Sequence, residues 1–197
     1  MSIFFYYCIM ESKITYKNSF EPCINTFKKV QLNDVKRKQL STKIIQLIKQ
    51  DEVKKNRKLN ESEIDHYRKL FMQIAGDLVI EQFLDISIVD LNDILNVKKS
   101  QINKLLSHGE IDICTFTYGL FPLVYKLTYR KTIFVCMLPN KKDYYICGIG
   151  TPLIVSGYSD KNLLLSNTLR ENNRAGFFGF SRLSPMPINI GDFIRII

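Results

Sequence analysis

Two neighbouring segments of this sequence combine strand-like apolar residues with charged ones. They are GEIDICTF, residues 109 to 116, and FPLVYKLTY, residues 121 to 129, which carry Asp112 and Lys126 respectively. A buried charge is costly unless it is paired or holds a metal, so strands normally keep charges at their edges. Two such strands in an antiparallel hairpin would place Asp112 and Lys126 on one face. This pattern indicates either a cross-strand ion pair or a chemical site.

Two further carboxylates lie on the strongest helical pattern of the chain. In NESEIDHYRKLFMQIAGDLVIEQFLD, apolar residues recur at spacings of three and four, which predicts a helix that begins after Asn60 or Ser62. Asp77 and Glu81 are four residues apart and therefore share one face of this helix. If the helix packs on the strands, both acids approach Asp112. Otherwise they lie on a solvated helix face.

Three acids and a lysine that converge would suit metal-assisted hydrolysis of a phosphodiester bond. Mg²⁺ prefers oxygen ligands, usually one or two carboxylates together with water and a phosphate oxygen. The metal polarises the phosphoryl group and lowers the pKa of a bound water, while a lysine can orient or deprotonate that water or neutralise charge that builds on the phosphate. We therefore predict Asp112, Lys126, Asp77 and Glu81 as catalytic residues, with Mg²⁺ or Mn²⁺ as cofactor.

The order of these features resembles the PD-(D/E)XK nuclease superfamily, in particular its small phage and bacterial members. AGDLVIEQFL is similar to the family's acidic helix, GEIDICTF to its strand with the metal-binding Asp, and LVYKLT to its strand with acid-x-Lys. Further along, KKDYYICGI, VSGYSDKNLLLSN and FFGFSRLSPM resemble later segments of the family. The resemblance spans roughly residues 60 to 187.

The resemblance implies a fold and a metal site. The implied fold is α/β (α+β), a restriction-endonuclease-like core in which a mixed central β-sheet is flanked by helices. The implied metal ligand is Asp112, but Val124 stands where the family has the acid of acid-x-Lys. Either Glu110 or Glu81 supplies the missing carboxylate, and we assign Glu110 as the second metal ligand, or the site is disabled.

The charge of the chain favours a polyanionic partner. Its 28 Lys and Arg against 19 Asp and Glu give a net charge of +9, and residues 28 to 58 alone hold eleven basic and three acidic residues, a net +8. A predicted helix from about residue 32 to 56 places an apolar stripe, Leu40, Ile44, Leu47 and Ile48, opposite basic residues. The predicted nucleic-acid contacts are Lys36, Arg37, Lys38, Lys54, Lys55, Arg57 and Lys58.

The chain divides on this pattern into a basic helical N-terminal extension, residues 1 to 59, and a nuclease-like core, residues 60 to 197. Two short helices are predicted between residues 87 and 107 and another helix over 159 to 170. The predicted strands are 110 to 116, 121 to 129, 132 to 138, 143 to 149, 151 to 156 and a last one at GFFGFSRL.

Several classes of protein are disfavoured by the sequence. Five cysteines without a C-x-x-C pair indicate neither a disulfide framework nor a zinc site, and free cysteines within strands usually act as small hydrophobic residues. No apolar run is long enough to cross a bilayer. We expect an intracellular protein, cytoplasmic or nucleoid-associated, or in the host cell if the gene is viral. Frequent Lys, Asn and Ile favour an AT-rich genome such as that of a mobile element or virus.

Three functions follow, in order of preference. The first is a metal-dependent DNA endonuclease of the restriction, homing or repair type that acts on double-stranded DNA, compatible with a homodimer. The second is a nuclease-like fold without its metal site that binds nucleic acid or serves in assembly, which Val124 favours. The third is a helical interaction module whose stripe at Leu40, Ile44 and Ile48 packs on a second copy.

Overall fold

The computed structural model describes residues 14–87, 89–92, 111–164 and 173–196 of the 197-residue chain. The helices are α1 (Tyr16–Phe20), α2 (Asp34–Lys55), α3 (Glu61–Phe83), α4 (Pro152–Gly157) and α5 (Ile190–Ile196). The strands are β1 (Lys28–Gln31), β2 (Ile111–Thr117), β3 (Leu123–Tyr125), β4 (Lys131–Met137), β5 (Asp143–Gly150), β6 (Ser159–Asp160) and β7 (Arg174–Phe177). Short 3₁₀ turns lie at Glu21–Thr26, Lys161–Leu163 and Phe180–Arg182.

The strands form one mixed sheet and one antiparallel sheet. The first has the order β1-β5-β4-β2, in which β5 is antiparallel to β1 and β4, whereas β2 runs parallel to β4. The second has the order β3-β7-β6, with antiparallel pairs throughout. The prediction of a mixed α and β architecture, with a mixed sheet and helices, is confirmed at this level.

The mixed sheet is buried on both faces, which explains the unbroken apolar run from Ile133 to Met137 in β4. Successive side chains of a strand point to opposite faces, so a strand covered on both sides is apolar throughout. Ile133 and Val135 join the core that α2 and α3 cover, whereas Phe134 and Cys136 join a second, aromatic core. The phenylalanines of that aromatic core are Phe20, Phe27, Phe116, Phe134, Phe177 and Phe180.

Hydrogen bonds of a helix cap that the sequence predicts fix the connection between α2 and α3. Asn60 caps α3 by accepting from the Glu63 backbone N–H (2.9 Å), and the Glu63 carboxylate accepts from the Asn60 N–H (2.7 Å). Hydrogen bonds from Arg57 and Lys55 hold the pKa of the Glu63 carboxyl well below its usual range. The predicted start of this helix is confirmed.

Helix α2 belongs to the main core rather than to a separate surface. Leu40, Ile44 and Leu47 are buried in the cluster that also holds α3 and the mixed sheet, and β1 pairs with β5. The predicted boundary after residue 59 lies between α2 and α3, and both sides of it contribute to this core. The hypothesis that the α2 stripe packs on a second copy is wrong, because the chain itself covers that stripe.

Other predicted elements differ from the structure in pairing or type. The segment 151–156, predicted as a strand, instead contains most of α4, which Thr151 caps and in which Pro152 is the first residue. The last predicted strand ends at Phe177 and continues into a 3₁₀ turn. Most of the two helices predicted between residues 87 and 107 lies outside the described residues. In the described part of the chain, no helix has the length and apolar character needed to cross a membrane.

Candidate functional site

Asp112 and Lys126 do not lie on paired strands. Asp112 stands opposite Thr132 in the parallel pair of β2 and β4, whereas β3, which precedes Lys126, pairs with β7 in the other sheet. The predicted antiparallel hairpin is therefore wrong. A turn at Gly119, with φ of 89°, precedes the passage of the chain from one sheet to the other. Lys126 is exposed, and its backbone N–H donates to the Asn173 carbonyl (3.0 Å).

The ion-pair partner of Asp112 is Arg130 rather than Lys126. Arg130 Nη1 lies 3.2 Å from Asp112 Oδ1, and the two side chains are 32% and 42% exposed respectively. The Arg130 backbone N–H donates to Thr128 Oγ1 (3.2 Å), which orders the turn before β4. The carboxylate is thus held by a guanidinium while part of it faces solvent.

Asp112 and Arg130 line a surface cavity of about 660 Å³, which we call the cleft. Its walls come from α3, β2, β3, the connection from β3 to β4, and β7. The charged residues that line it are Lys69, Asp112, Arg130 and Arg174, three cations and one carboxylate. Lys69 Nζ lies 2.7 Å from Asp65 Oδ2 on the same helix and Arg130 is paired with Asp112, so Arg174 is the cation of the lining that forms no ion pair with a described residue.

One side of the cleft is a segment that carries two tyrosines and two cations. We call residues 125–130, Tyr-Lys-Leu-Thr-Tyr-Arg, the rim, and all of them except Lys126 line the cleft. The Arg174 guanidinium lies over the Tyr125 ring, 3.3 Å from its centroid. Tyr129 is 95% exposed and Leu127 is 74% exposed. The sequence signal for this feature is the run YKLTYRK, in which Tyr125 and Tyr129 flank Lys126.

Glu81, predicted as catalytic, is buried and serves a structural contact. Only 2% of its surface is exposed, and Oε1 accepts a hydrogen bond from Lys36 Nζ. Its Oε2 accepts from the Val89 backbone N–H (2.7 Å). The ion pair joins α3 to α2 outside the cleft lining. The alternative of a solvated helix face is wrong for this residue.

Asp77 is also buried, with no exposed surface, and it is not among the residues that line the cleft. The side chains of α3 that do line the cleft with Asp112 belong to Lys69, Met72 and Gln73, one to two turns before Asp77. The position of α3 on the sheet is set by Gly76, which packs directly against Thr115 of β2. The predicted convergence of Asp77 and Glu81 on Asp112 is therefore not found.

The described residues do not by themselves fit a magnesium site. Within residues 14–87, 89–92, 111–164 and 173–196, no three His, Cys, Asp or Glu side chains form a group that could hold a metal ion. Asp112 is the one carboxylate among the residues that line the cleft, and it is paired with Arg130. Glu110, the predicted second ligand, lies outside the described residues. The described residues therefore contribute a single carboxylate, already paired with a guanidinium, toward any Mg²⁺ site in the cleft.

The seven predicted nucleic-acid contacts divide into paired and unpaired cations. Lys36 binds Glu81, Arg37 lies 3.3 Å from Asp34, and Lys55 and Arg57 bind Glu63 at 2.7 and 2.9 Å. The remaining three are exposed and form no ion pair with any described residue: Lys38, Lys54 and Lys58. These three are therefore the ones most available to a polyanion.

The cysteines do not supply a nucleophile in the described part of the chain. Burial raises the pKa of the Cys114 thiol, which lines the cleft, to about 12, and it does the same for Cys136. Burial also raises the pKa of Cys23 and Cys147. Burial thus disfavours the thiolate, which is the reactive form, and these four side chains pack in or against the aromatic core as small hydrophobic residues.

No family model, curated protein or solved structure was found to match this chain. The resemblance to PD-(D/E)XK nucleases therefore stays a prediction from the sequence. The case for a function rests on the charge and shape of the cleft and on the exposed cations of α2.

Proposed function

We propose that this protein binds nucleic acid, with phosphate groups held in the cleft. The observation that carries the proposal is the charge of the lining, where Arg130 and Arg174 outnumber the single carboxylate of Asp112, while Lys69 is paired with Asp65. A cleft lined by one sign of charge focuses the electrostatic potential and raises the local concentration of ligands of opposite charge. The net charge of +9 acts in the same direction over longer distances.

Helix α2 offers a second set of phosphate contacts. Lys38 and Lys49 are both exposed, and they are eleven residues apart, which is about three turns. They therefore share one face and lie about 16 Å apart along the axis. The buried residues Leu40 and Leu47 occupy the opposite side of the helix. Contacts of this kind bind the backbone of nucleic acid without reading its sequence.

The double variant Lys38→Gln with Lys49→Gln should weaken DNA binding and make it less sensitive to salt. Each neutralised phosphate of duplex DNA contributes about −0.9 to the slope of log K on log salt, because counterions are released. If both lysines contact phosphates, the slope should become shallower by about 1.8. The measurement is fluorescence anisotropy of a labelled DNA over a series of NaCl concentrations.

The matched control is Lys17→Gln with Lys28→Gln. These lysines are exposed and lie on α1 and β1, away from α2 and from the cleft lining, so the net charge changes equally. The control should keep a slope close to that of the wild type. Equal losses in both double variants would show that net charge alone drives binding, which would contradict a defined contact on α2.

A second candidate function is a metal-dependent DNA endonuclease on a restriction-endonuclease-like core. The observation that favours it is Asp112, a carboxylate 42% exposed in a cleft whose cations would hold a phosphate. In this proposal Asp112 and Glu110 hold Mg²⁺ or Mn²⁺. The substrate is double-stranded DNA, and a homodimer would cut both strands.

For the endonuclease candidate, Asp112→Asn should reduce cutting of supercoiled plasmid to background, because an amide is a much weaker metal ligand than a carboxylate. The wild type should cut only with Mg²⁺ or Mn²⁺, and Lys126→Ala tests the predicted lysine. Asp192→Asn is the control, since Asp192 is 53% exposed on α5 and does not line the cleft. Salt-sensitive binding without cutting under either metal would contradict this candidate and leave the binding function.

A further inference from the structure

We infer that the nucleic acid taken by the cleft is single-stranded, with unstacked bases lying on the tyrosines of the rim. The inference rests on the proposed function, since it specifies the class of nucleic acid for the same site. It follows from three properties of the rim: its exposed rings, its cations, and its fixed geometry.

The exposed rings are the first property. Tyr129 is 95% exposed and Tyr125 is 50% exposed, although an aromatic side chain normally buries a large apolar area. Leu127, between them in the sequence, is 74% exposed, so three large apolar side chains of the rim are exposed within five residues. Single exposed apolar residues are ordinary, but a cluster of this kind on a cleft marks an interaction site.

The cations of the rim supply the complement to a phosphate backbone. Lys126 is exposed and forms no ion pair with a described residue, and it stands between the two tyrosines in the sequence. Arg130 follows Tyr129, and its guanidinium lines the cleft beside Asp112. Arg130 and Arg174 therefore line the cleft beside the rings, and Lys126 is exposed next to Tyr125 outside the lining, so bases and phosphates of one strand would each find a partner.

The rim is held in place by contacts that reduce the entropic cost of binding. The Arg174 guanidinium lies over the Tyr125 ring at 3.3 Å, which keeps the ring at the cleft. The Lys126 N–H donates to the Asn173 carbonyl (3.0 Å), and the Arg130 N–H donates to Thr128 Oγ1 (3.2 Å). A preordered surface loses less conformational freedom when a ligand binds.

A single strand fits these features better than a duplex does. In a duplex the bases are stacked and paired inside, so a tyrosine that projects from a surface meets only the backbone. Proteins that bind single strands combine a positively charged groove with aromatic rings on which bases stack. A cleft of about 660 Å³ also lies in the range that takes a ligand of nucleotide size.

The test compares three labelled ligands of about twelve nucleotides, a length within the range that one single-strand site covers. They are a single-stranded DNA, its duplex, and a single strand of the same length built from abasic sugar-phosphate units. Anisotropy should show that the wild type prefers the base-containing single strand. Tyr129→Ala should weaken that binding by about tenfold, whereas Tyr129→Phe, which keeps the ring, should stay within about twofold of the wild type.

Two further variants serve as controls. Ile188→Ala removes a side chain that is 73% exposed and lies outside the cleft lining, so it should leave all affinities within about twofold. Lys126→Gln should weaken binding of the abasic and base-containing strands by a similar factor, because phosphate contacts do not depend on bases.

Several outcomes would overturn the inference. They are equal affinity for the abasic and base-containing strands, preference for the duplex, or an equal loss of duplex binding in Tyr129→Ala. Salt-sensitive duplex binding that Tyr129 does not affect would overturn the inference and leave the proposed function standing. Failure to bind any of the three ligands at low salt would overturn both.

Discussion

Glu81→Ala should lower the free energy of unfolding by about 3 kcal/mol, although the sequence marks this residue as catalytic. Its carboxylate accepts hydrogen bonds from Lys36 and from the Val89 N–H in a site that is 2% exposed. Breaking a buried ion pair costs about 3–5 kcal/mol. The lower end applies because the Lys36 side chain is 36% exposed and regains water. Urea unfolding at constant m-value measures the change.

Two variants on α3 show which part of the contact matters. Glu81→Gln keeps an acceptor for the Val89 N–H but loses the charge, so it should lose about half as much stability. Glu61→Ala is the control, because that side chain is 77% exposed in its pair with Arg68 and should change stability by less than about 1 kcal/mol. If Glu81→Ala unfolds at the wild-type midpoint yet loses activity on nucleic acid, the structural role is contradicted and Glu81 acts in the chemistry.

The long helices could be predicted from the sequence because their signals are local. The apolar spacing of α2 and α3 is regular over several turns, and Asn60 and Glu63 form a capping box that can be recognised in the sequence. Strands β2, β4 and β5 were also predicted within a residue or two, since their apolar runs end at turns. Local patterns of this kind predict the structure correctly because the tertiary packing favours the same local conformation.

The pairing of the strands could not be predicted in the same way. Sequence neighbours usually pair, so a short turn between two apolar runs favours a hairpin, but β2 instead pairs in parallel with β4. The run TPLIVS is short and apolar, and such runs are ambiguous between strand and helix. Here Thr151 and Pro152, which are helix-start residues, decide in favour of α4.

The candidate site depended on information that a periodic pattern does not contain. Helical spacing shows that Asp77 and Glu81 share a face, but it does not show which residue of β2 lies opposite each turn. The structure places Ile113 and Thr115 opposite Gly76, so that Lys69 and Gln73 line the cleft with Asp112. The close approach at Gly76 thus determines which side chains of α3 meet the cleft.

Gly76→Ala should lower the free energy of unfolding by about 2 kcal/mol. A Cβ at this position would lie 2.0 Å from Thr115 Oγ1 and 3.2 Å from Ile113 Cγ2, so α3 would have to move away from the sheet. Overpacking of this kind costs about 1–3 kcal/mol, and the short distance places the cost at the upper end. The higher helix propensity of alanine returns about 1 kcal/mol. Denaturant unfolding measures the net loss.

A double-mutant cycle with Thr115→Ala tests whether this contact is the cause. Thr115 Oγ1 is buried and has no hydrogen-bond partner among the described residues, so its removal alone should cost little. In the Thr115→Ala background, Gly76→Ala should then lose at least about 1 kcal/mol less than it does alone. Gly157→Ala is the control, because Gly157 has no atom within 4 Å of the added Cβ. Additive losses would mean that Thr115 does not set the position of α3. In that case the exclusion of Asp77 from the cleft would need another cause.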